Sequence, residues 1–549
     1  MTLASTRPDA LGAYGRSPSF TPNLDRLAEE GVVFERAFTV APLAQPAAAS
    51  LHSGLYPPRH GVRDDGIAAL PSAAHTLAER AREAGFQTAA FLGSAQFDEG
   101  FGLEQGFETY LAPTRSLHEG GLGTDERPAL ETAGLAEQWL RQRDLERPFL
   151  LWVHLADPEA PHEPREDLLA RTGDPYLAEV ADCDVGLGRL IAALRQDGAL
   201  DSTLVIALAD HGEAFGEHEE RGHGAYVWNT TLRIPLVLRR PGGKGGGKRV
   251  DTIASTVDVL PTALAAMKIE LADDDAAGLD GFDLLARRSR DERGAYFESC
   301  RGFLWYGWHP LSGWVDASGK LIQGGGTRFF DVAKDPGEAR DLAGVNAAAL
   351  DPYRAAIAAV GDEPVLAPDA EELDPLLRSA LNQLGHSAAA TVATAIPKPS
   401  ATLALPDPHE RTAELRVLDD ARERMAAGRW AEAEPALQNL LRTSPKNRRA
   451  WELLALCRLR QSRGRDAIDP LEYVLSGGPV TADTWTWLGT SYIVAGEDEK
   501  AVAAFAHALE LDKNHVQALQ GLLVQIELGG MASGATQFRQ RFETAITRP

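Results

Sequence analysis

Residues 41–61 read Ala-Pro-Leu-Ala-Gln-Pro-Ala-Ala-Ala-Ser-Leu-His-Ser-Gly-Leu-Tyr-Pro-Pro-Arg-His-Gly. Pro42 and Pro46 fix the backbone ahead of a run of good helix formers. That predicts a tight loop delivered onto a helix starting near Ala47. Helix N-termini present unpaired N–H groups and partial positive charge, so a fold that handles sulfate or phosphate esters would hold the anion here. An ordinary Pro-bounded helix start explains the same composition.

Outward from this stretch the chain alternates. Residues 75–85 read as a helix and 86–92 as a buried strand, and the pattern recurs at 149–155 and 203–208 behind helical segments. Residues 21–31 read as a capped amphipathic helix, with Leu24, Leu27 and Ala28 on one face and Gly31 as its stop. Strands apolar on both faces, alternating with helices, give an α/β fold with a mostly parallel sheet sandwiched by helices. Ligands in such sheets sit beyond the carboxyl ends of the strands.

A chain of 549 residues exceeds one core, so two or three domains are expected. The formal charge of −24 excludes nucleic acid as a partner class and disfavours polyanionic substrates. Cys183, Cys300 and Cys457 are too far apart for a disulfide framework or a metal motif, and read as buried free thiols. No apolar run is long enough for a membrane span and no signal peptide is visible. The chain reads as cytoplasmic, or as periplasmic or exported if an upstream signal is missing.

Three further stretches bear on chemistry. Residues 2–15 read Thr-Leu-Ala-Ser-Thr-Arg-Pro-Asp-Ala-Leu-Gly-Ala-Tyr-Gly; residues 151–161 read Leu-Trp-Val-His-Leu-Ala-Asp-Pro-Glu-Ala-Pro; residues 208–218 read Leu-Ala-Asp-His-Gly-Glu-Ala-Phe-Gly-Glu-His. With 41–61 they resemble the sulfatase family of the alkaline-phosphatase superfamily. The resemblance covers roughly residues 2–360 and includes a small C-terminal β-subdomain at about 294–343. It implies that Asp210 and His211 stand at two metal-ligand positions and His223 at a substrate-contacting position. It also implies that the metal-binding aspartate is replaced by Ala4, the nucleophile by Ala44, the basic group beside it by Ala48, and an oxyanion-contacting histidine by Glu159. A methyl group can neither attack sulfur or phosphorus nor ligate a metal. Asp9 reads as a solvated turn residue, and His162 lies near Glu159 but out of register. Ser50, His52 and Ser53 could in principle supply a replacement nucleophile, but their positions along the helix point away from the attacking one.

The C-terminal part differs in kind. Residues 387–408 are rich in Ala, Thr, Ser and Pro and predict a flexible linker within a 361–410 tail. Beyond it, Gly428, Ser462 and Gly496, then Ala433, Ala467 and Ala501, then Leu437, Leu471 and Phe505 recur every 34 positions, and Pro445 and Pro479 share the interval. With Trp487-Leu488-Gly489-x-x-Tyr492 this resembles the tetratricopeptide repeat. Three repeats run from about 413 to 514, with a partly degenerate unit to about 545, in a domain spanning 411–549. Such arrays bind peptides or partner proteins.

The resemblances imply a sulfatase-like pseudoenzyme joined to a protein-binding repeat module, without a cofactor, or with at most a divalent cation (Ca, Mg or Mn) in a vestigial site. A weak anion site could persist at the helix start near Pro46. The alternative is an active metal-dependent sulfate or phosphate ester hydrolase with a rearranged site.

Overall fold

A computed structural model describes residues 1–113, 126–272, 278–286, 293–344, 347–369, 395–479, 481–528 and 532–547. In chain order the strands are β1 (Thr2–Leu3), β2 (Val32–Phe38), β3 (Gln87–Leu92), β4 (Thr109–Leu111), β5 (Phe149–Leu155), β6 (Val205–Ala209), β7 (Ala214–Phe215), β8 (Arg221–Gly222), β9 (Arg233–Ile234), β10 (Leu236–Arg239), β11 (Lys248–Ser255), β12 (Ala295–Ser299), β13 (Leu311–Val315), β14 (Lys320–Gly324) and β15 (Gly326–Phe330).

A nine-stranded sheet has the order β11-β2-β10-β6-β1-β5-β3-β4, with β9 beside β2. Pairings among β1, β3, β4, β5 and β6 are parallel, as is β2 with β11; β9 and β10 run antiparallel to their neighbours. Parallel strands need helical crossovers, and these cover both faces. Helices Pro22–Glu30, Ala129–Gln142 and Pro175–Gln196 pack on one face. Ala44–Ser53, Leu77–Glu83 and Val259–Met267 pack on the other. A four-stranded antiparallel sheet, β12-β13-β14-β15, forms the expected β-subdomain, and β7 and β8 form a short separate hairpin.

The first long helix departs from its expected cap. The Thr21 side chain makes no capping bond. Asp184, on the helix Pro175–Gln196, instead accepts from Leu24 N–H at 2.8 Å and Asn23 N–H at 3.1 Å. A carboxylate at a helix N-terminus satisfies orphan donors and complements the helix dipole, and here it ties the two helices together.

Four antiparallel helix pairs follow: Thr412–Ala426 with Trp430–Thr443, Arg448–Arg460 with Gly464–Leu475, Ala482–Ala495 with Asp498–Leu511, and Val516–Leu528 with Ala532–Thr547. The 34-residue period is visible in packing: Ala433, Ala467 and Ala501 are fully buried where paired helices approach closely. Among the described residues no helix is long and apolar enough to cross a membrane.

Composition makes 387–408 a flexible linker; 387–394 lie outside the described residues, and from 395 onward the chain is held as a strap. Arg63 donates to Pro397 O at 2.9 Å and Ser312 Oγ to Pro399 O at 2.8 Å. His309 N–H donates to Pro406 O at 2.9 Å, Arg328 pairs with Asp407 at 2.9 Å, and Tyr226 OH donates to Pro408 O at 3.2 Å. The strap is fixed largely through backbone carbonyls, which composition does not reveal.

The repeat array is seamed onto the α/β domain. Leu304, Trp305, Tyr306 and Trp308, on and just after the turn Gly302–Tyr306, share one buried apolar cluster with Leu415, Leu418, Leu453 and Leu456 of the first two helix pairs. The Arg449 guanidinium lies 4.0 Å from the Trp305 ring centroid, and Trp308 Nε1 donates to Glu414 at 3.4 Å. Gly307 is left-handed at φ 73°, and an added Cβ would come within 2.8 Å of Lys446 Cβ. At the rim, Thr412 Oγ1 donates to Glu219 on the β7–β8 hairpin at 2.7 Å.

Candidate functional site

Ala4, Asp210, His211 and Glu159 lie just past the carboxyl ends of strands of the main sheet, Ala44 and Ala48 on the helix after β2, and His223 just past the β7–β8 hairpin. Ala4 follows β1, and its N–H donates to Leu155 O at 2.9 Å. Ser5, next along at φ 47°, donates its N–H to Asp210 Oδ1 at 3.1 Å. Asp210 and His211 follow β6. Asp210 Oδ1 also accepts from His211 N–H at 2.6 Å, and His211 Nδ1 lies 2.9 Å from the Gly212 carbonyl oxygen. A carbonyl cannot donate, so Nδ1 carries the proton in this contact. Asp210 Oδ2 and His211 Nε2 are buried without a hydrogen-bond partner.

The His211 ring packs against His223, centroid to centroid 4.2 Å. His223 Nδ1 donates to Glu213 Oε2 at 3.0 Å, and its Nε2 lies 3.7 Å from Glu159 Oε1. Burial alone would lower the His223 pKa, but the Glu213 and Glu159 carboxylates override it and raise the imidazolium to about 9. Burial also raises the Glu159 carboxyl, with His223 opposing it, and Glu159 Oε1 accepts from Gln96 Nε2 at 3.1 Å. The basic group at the mouth is thus held between two acidic ones.

The helix begins at Ala44, three residues before the expected start, because Pro46 sits in the first turn where a missing N–H removes no helical bond. It ends at Gly54, left-handed at φ 70°. All its residues are buried. Ala44 and Ala48 belong to an apolar cluster with Ala49, Leu92, Phe97, Leu103 and Trp152. Beside Ala48 is a void of ≈ 10 Å³ lined by Phe97, Trp152, His154, Asp210 and Thr256, about the space of one water molecule.

At the start of this helix an internal carboxylate stands where an anion is expected from its prolines. Gln45 N–H donates to Asp65 Oδ1 at 2.9 Å. Arg301 in turn binds Asp65 Oδ2 at 2.9 Å and Asp64 Oδ1 at 2.8 Å. The chain's own carboxylate satisfies one of the orphan donors of the helix N-terminus. Nothing in the spacing from Gln45 to Asp65, or to Arg301, signals this trio; only the fold brings it together.

The replacement candidates are engaged elsewhere. Ser50 Oγ is 2.9 Å from His60 Nε2, and Ser53 Oγ donates back to Ala49 O at 2.6 Å. His52 packs against Trp152 with ring centroids 4.4 Å apart, and burial lowers its pKa to about 3. His162 pairs with Glu179 at 2.6 Å, and the exposed Asp9 pairs with Arg7 at 2.7 Å.

The residues present fit a divalent cation poorly. Hard cations take six or more oxygen ligands; here Asp210 Oδ2 and His211 Nε2 are buried polar atoms left without a hydrogen bond, and Ala4, beside them after β1, offers no oxygen from its side chain. Among the described residues no group of three or more His, Cys, Asp or Glu side chains could hold a metal ion.

The doubly covered sheet and the buried pocket at its strand ends define an α/β domain with a candidate site where such sheets hold ligands. Residues 3–269 match the family model described as Sulfatase, and residues 418–479 the one described as Tetratricopeptide repeat. The N-terminal α/β domain is sulfatase-like, and the C-terminal helical array is consistent with tetratricopeptide repeats. The chain is 26% identical over 406 residues to the uncharacterized sulfatase YidJ of Escherichia coli (strain K12), covering 60% of this chain and 80% of that protein. It is 26% identical over 427 residues to an arylsulfatase of Clostridium perfringens (strain 13 / Type A), covering 61% and 88%. The yidJ protein of Bacteroides fragilis superposes with a TM-score of 0.56 at 19% identity, covering 65% of this chain and 93% of that one. The phosphonate monoester hydrolase of Agrobacterium radiobacter does so with 0.52 at 23%, covering 65% and 94%. At those identities the superpositions speak for the fold.

Proposed function

We propose that the chain is a sulfatase-fold pseudoenzyme coupled to a protein-binding repeat module, acting as a binding or scaffolding protein built from two units, 1–360 and 411–549. One observation carries the reading: Ala44 and Ala48, at the positions of nucleophile and basic group, are packed into an apolar cluster with Phe97 and Trp152. A reacting site needs an activated nucleophile and groups that stabilise developing charge. Ala44, Ala48, Ala4 and Glu159 offer neither, and Asp210, His211 and His223 alone supply no attack. The repeats supply the interaction half of the reading, since helix-pair arrays present extended concave surfaces to partner proteins.

The second reading, a metal-dependent ester hydrolase with a rearranged site, is favoured by one feature. Asp210 Oδ2 and His211 Nε2 are buried side by side without partners, as metal-facing atoms would be. Elemental analysis of purified protein separates the two readings. The pseudoenzyme reading expects well under one equivalent of calcium, magnesium or manganese, and metal binding to return in an Ala4→Asp/Ala44→Thr double variant. A stoichiometric ion in the unaltered protein, lost in Asp210→Ala, would support the hydrolase.

A further inference from the structure

Buried polar atoms without hydrogen bonds define the kind of group that satisfies them. Four belong to residues gathered around His211 and His223: Asp210 Oδ2, His211 Nε2, Glu213 Oε1 and Gln96 Oε1. Asp210, His211 and Glu213 are 4%, 0% and 2% exposed. His211 Nε2 lies 3.8 Å from Asp210 Oδ1, and Glu213 and Gln96 join the group through His223 and Glu159. All four atoms accept. Asp210 Oδ2 and Glu213 Oε1 are carboxyl oxygens. Gln96 donates through Nε2 to Glu159, so Oε1 is its accepting end. His211 holds its Nδ1 proton against the Gly212 carbonyl oxygen, which leaves Nε2 as the acceptor of the neutral ring. Of the other unpartnered atoms close by, Ser5 Oγ can donate or accept, and His154 lines the void beside Ala48.

The charge balance points the same way. The carboxyl groups of Asp210, Glu213 and Glu159 share the pocket with one imidazolium, His223. Burial raises the Glu159 carboxyl; His223 and His211 oppose this, and Asp210 and Glu213 add to it, so all five groups feel one another. Arg301 is bound to Asp64 and Asp65, and Arg7 to Asp9 and Glu217, so both guanidiniums are already paired. The whole chain carries a formal charge of −24, a field that draws cations.

We propose that this pocket binds a primary ammonium group, an organic cation with three N–H donors, and not an oxyanion beside a metal. The proposal rests on the pseudoenzyme reading of the pocket. An ammonium head is compact and carries donors alone, so it can donate to Asp210, His211 and Glu213 while its charge answers the carboxyl groups. Charge-assisted hydrogen bonds of about 2.8 Å tolerate a spread set of acceptors. A divalent cation needs a convergent set of six or more oxygens at about 2.0–2.6 Å, and among the described residues no three His, Cys, Asp or Glu side chains could hold one. An oxyanion would set acceptor against acceptor at all four atoms. The half-buried Gln96 and His223 stand on the outer side, where the rest of the ligand would extend.

The test titrates the full chain with n-butylammonium near pH 7, where an alkylamine is protonated, and follows binding by calorimetry. Tetramethylammonium is the cation of equal charge without N–H donors, and sulfate is the oxyanion. The expected result is one equivalent of butylammonium, bound about tenfold or more tighter than tetramethylammonium or sulfate. Asp210→Asn and Glu213→Gln, both isosteric, should each weaken it by about tenfold or more, as the loss of a charge-assisted hydrogen bond does. Circular dichroism checks the fold of each variant, and the wild-type comparison of the two cations stands without them. No binding, equal binding of the two cations, tighter binding of sulfate, or an affinity unchanged in both variants would overturn the proposal and leave the pseudoenzyme reading intact. One equivalent of calcium, magnesium or manganese, lost in Asp210→Asn, would overturn both.

Discussion

The pocket at the strand ends and the seam with the repeat array are built on opposite lines. In the pocket, acidic and histidine side chains crowd together, and several of their atoms, including Asp210 Oδ2, His211 Nε2 and Glu213 Oε1, have no hydrogen-bond partner. At the seam, the large side chains Trp305, Tyr306 and Trp308 are buried among leucines of the repeats. The difference teaches where each region's residues are answerable to packing and where they are not. The seam has the properties of a hydrophobic core; the pocket holds buried acidic and histidine groups beside the apolar cluster of Ala44 and Ala48.

The comparison breaks most sharply at Trp305. Its truncation in Trp305→Ala leaves a cavity at the centre of the seam and should lower unfolding stability by about 3–5 kcal/mol, read from urea denaturation. A loss below about 1 kcal/mol would mean that the array merely rests on the domain.

A pH experiment sharpens the contrast next to the seam. Burial raises the Glu220 carboxyl to about 8, and its Oε1 accepts Tyr226 N–H at 3.2 Å. A folded-state pKa above the unfolded one means the folded protein holds the proton more tightly. The stabilising contribution is therefore full below about pH 4.5 and is lost as pH rises through about 8. Glu220→Gln keeps a neutral side chain at all pH. Wild type should be more stable relative to Glu220→Gln at pH 5 than at pH 8.5, by urea midpoints at both values. A constant difference would show that Glu220 does not titrate across this window.

The smallest effects are expected at the pocket and at the rim. Glu159→Gln preserves shape, and burial already disfavours the Glu159 charge, so its cost should stay within about 1 kcal/mol. Thr412→Ala loses a bond to an exposed glutamate and should cost about 1 kcal/mol or less. A pocket substitution that rivals Trp305→Ala would erase the distinction between the two regions.

The sequence makes much of this legible, and the failures have physical causes. Residues 149–155 are apolar enough on both faces to fix β5 to its observed ends, and the repeat period fixes the array because several position classes recur together. The helix start is displaced by three residues because proline is tolerated in a first turn. Residues 395–408 were invisible as a strap because their anchors are mostly backbone carbonyls. The Gln45–Asp65–Arg301 contact joins residues up to 256 apart in number, and only the completed fold creates it. Positions 4, 44, 48 and 159 stand out from the motif frame around each, and the structure places Ala44 and Ala48 in an apolar cluster. Why Asp210 and His211 persist beside them has no counterpart in packing, since two of their polar atoms are left unpartnered.

The central claim is that this pocket performs no ester hydrolysis. Its most direct measurement is turnover of chromogenic sulfate, phosphate and phosphonate esters by wild type and His211→Ala, each with calcium, magnesium or manganese added. The account predicts rates at background for both proteins with every ion; metal-dependent hydrolysis that His211→Ala abolishes would contradict it.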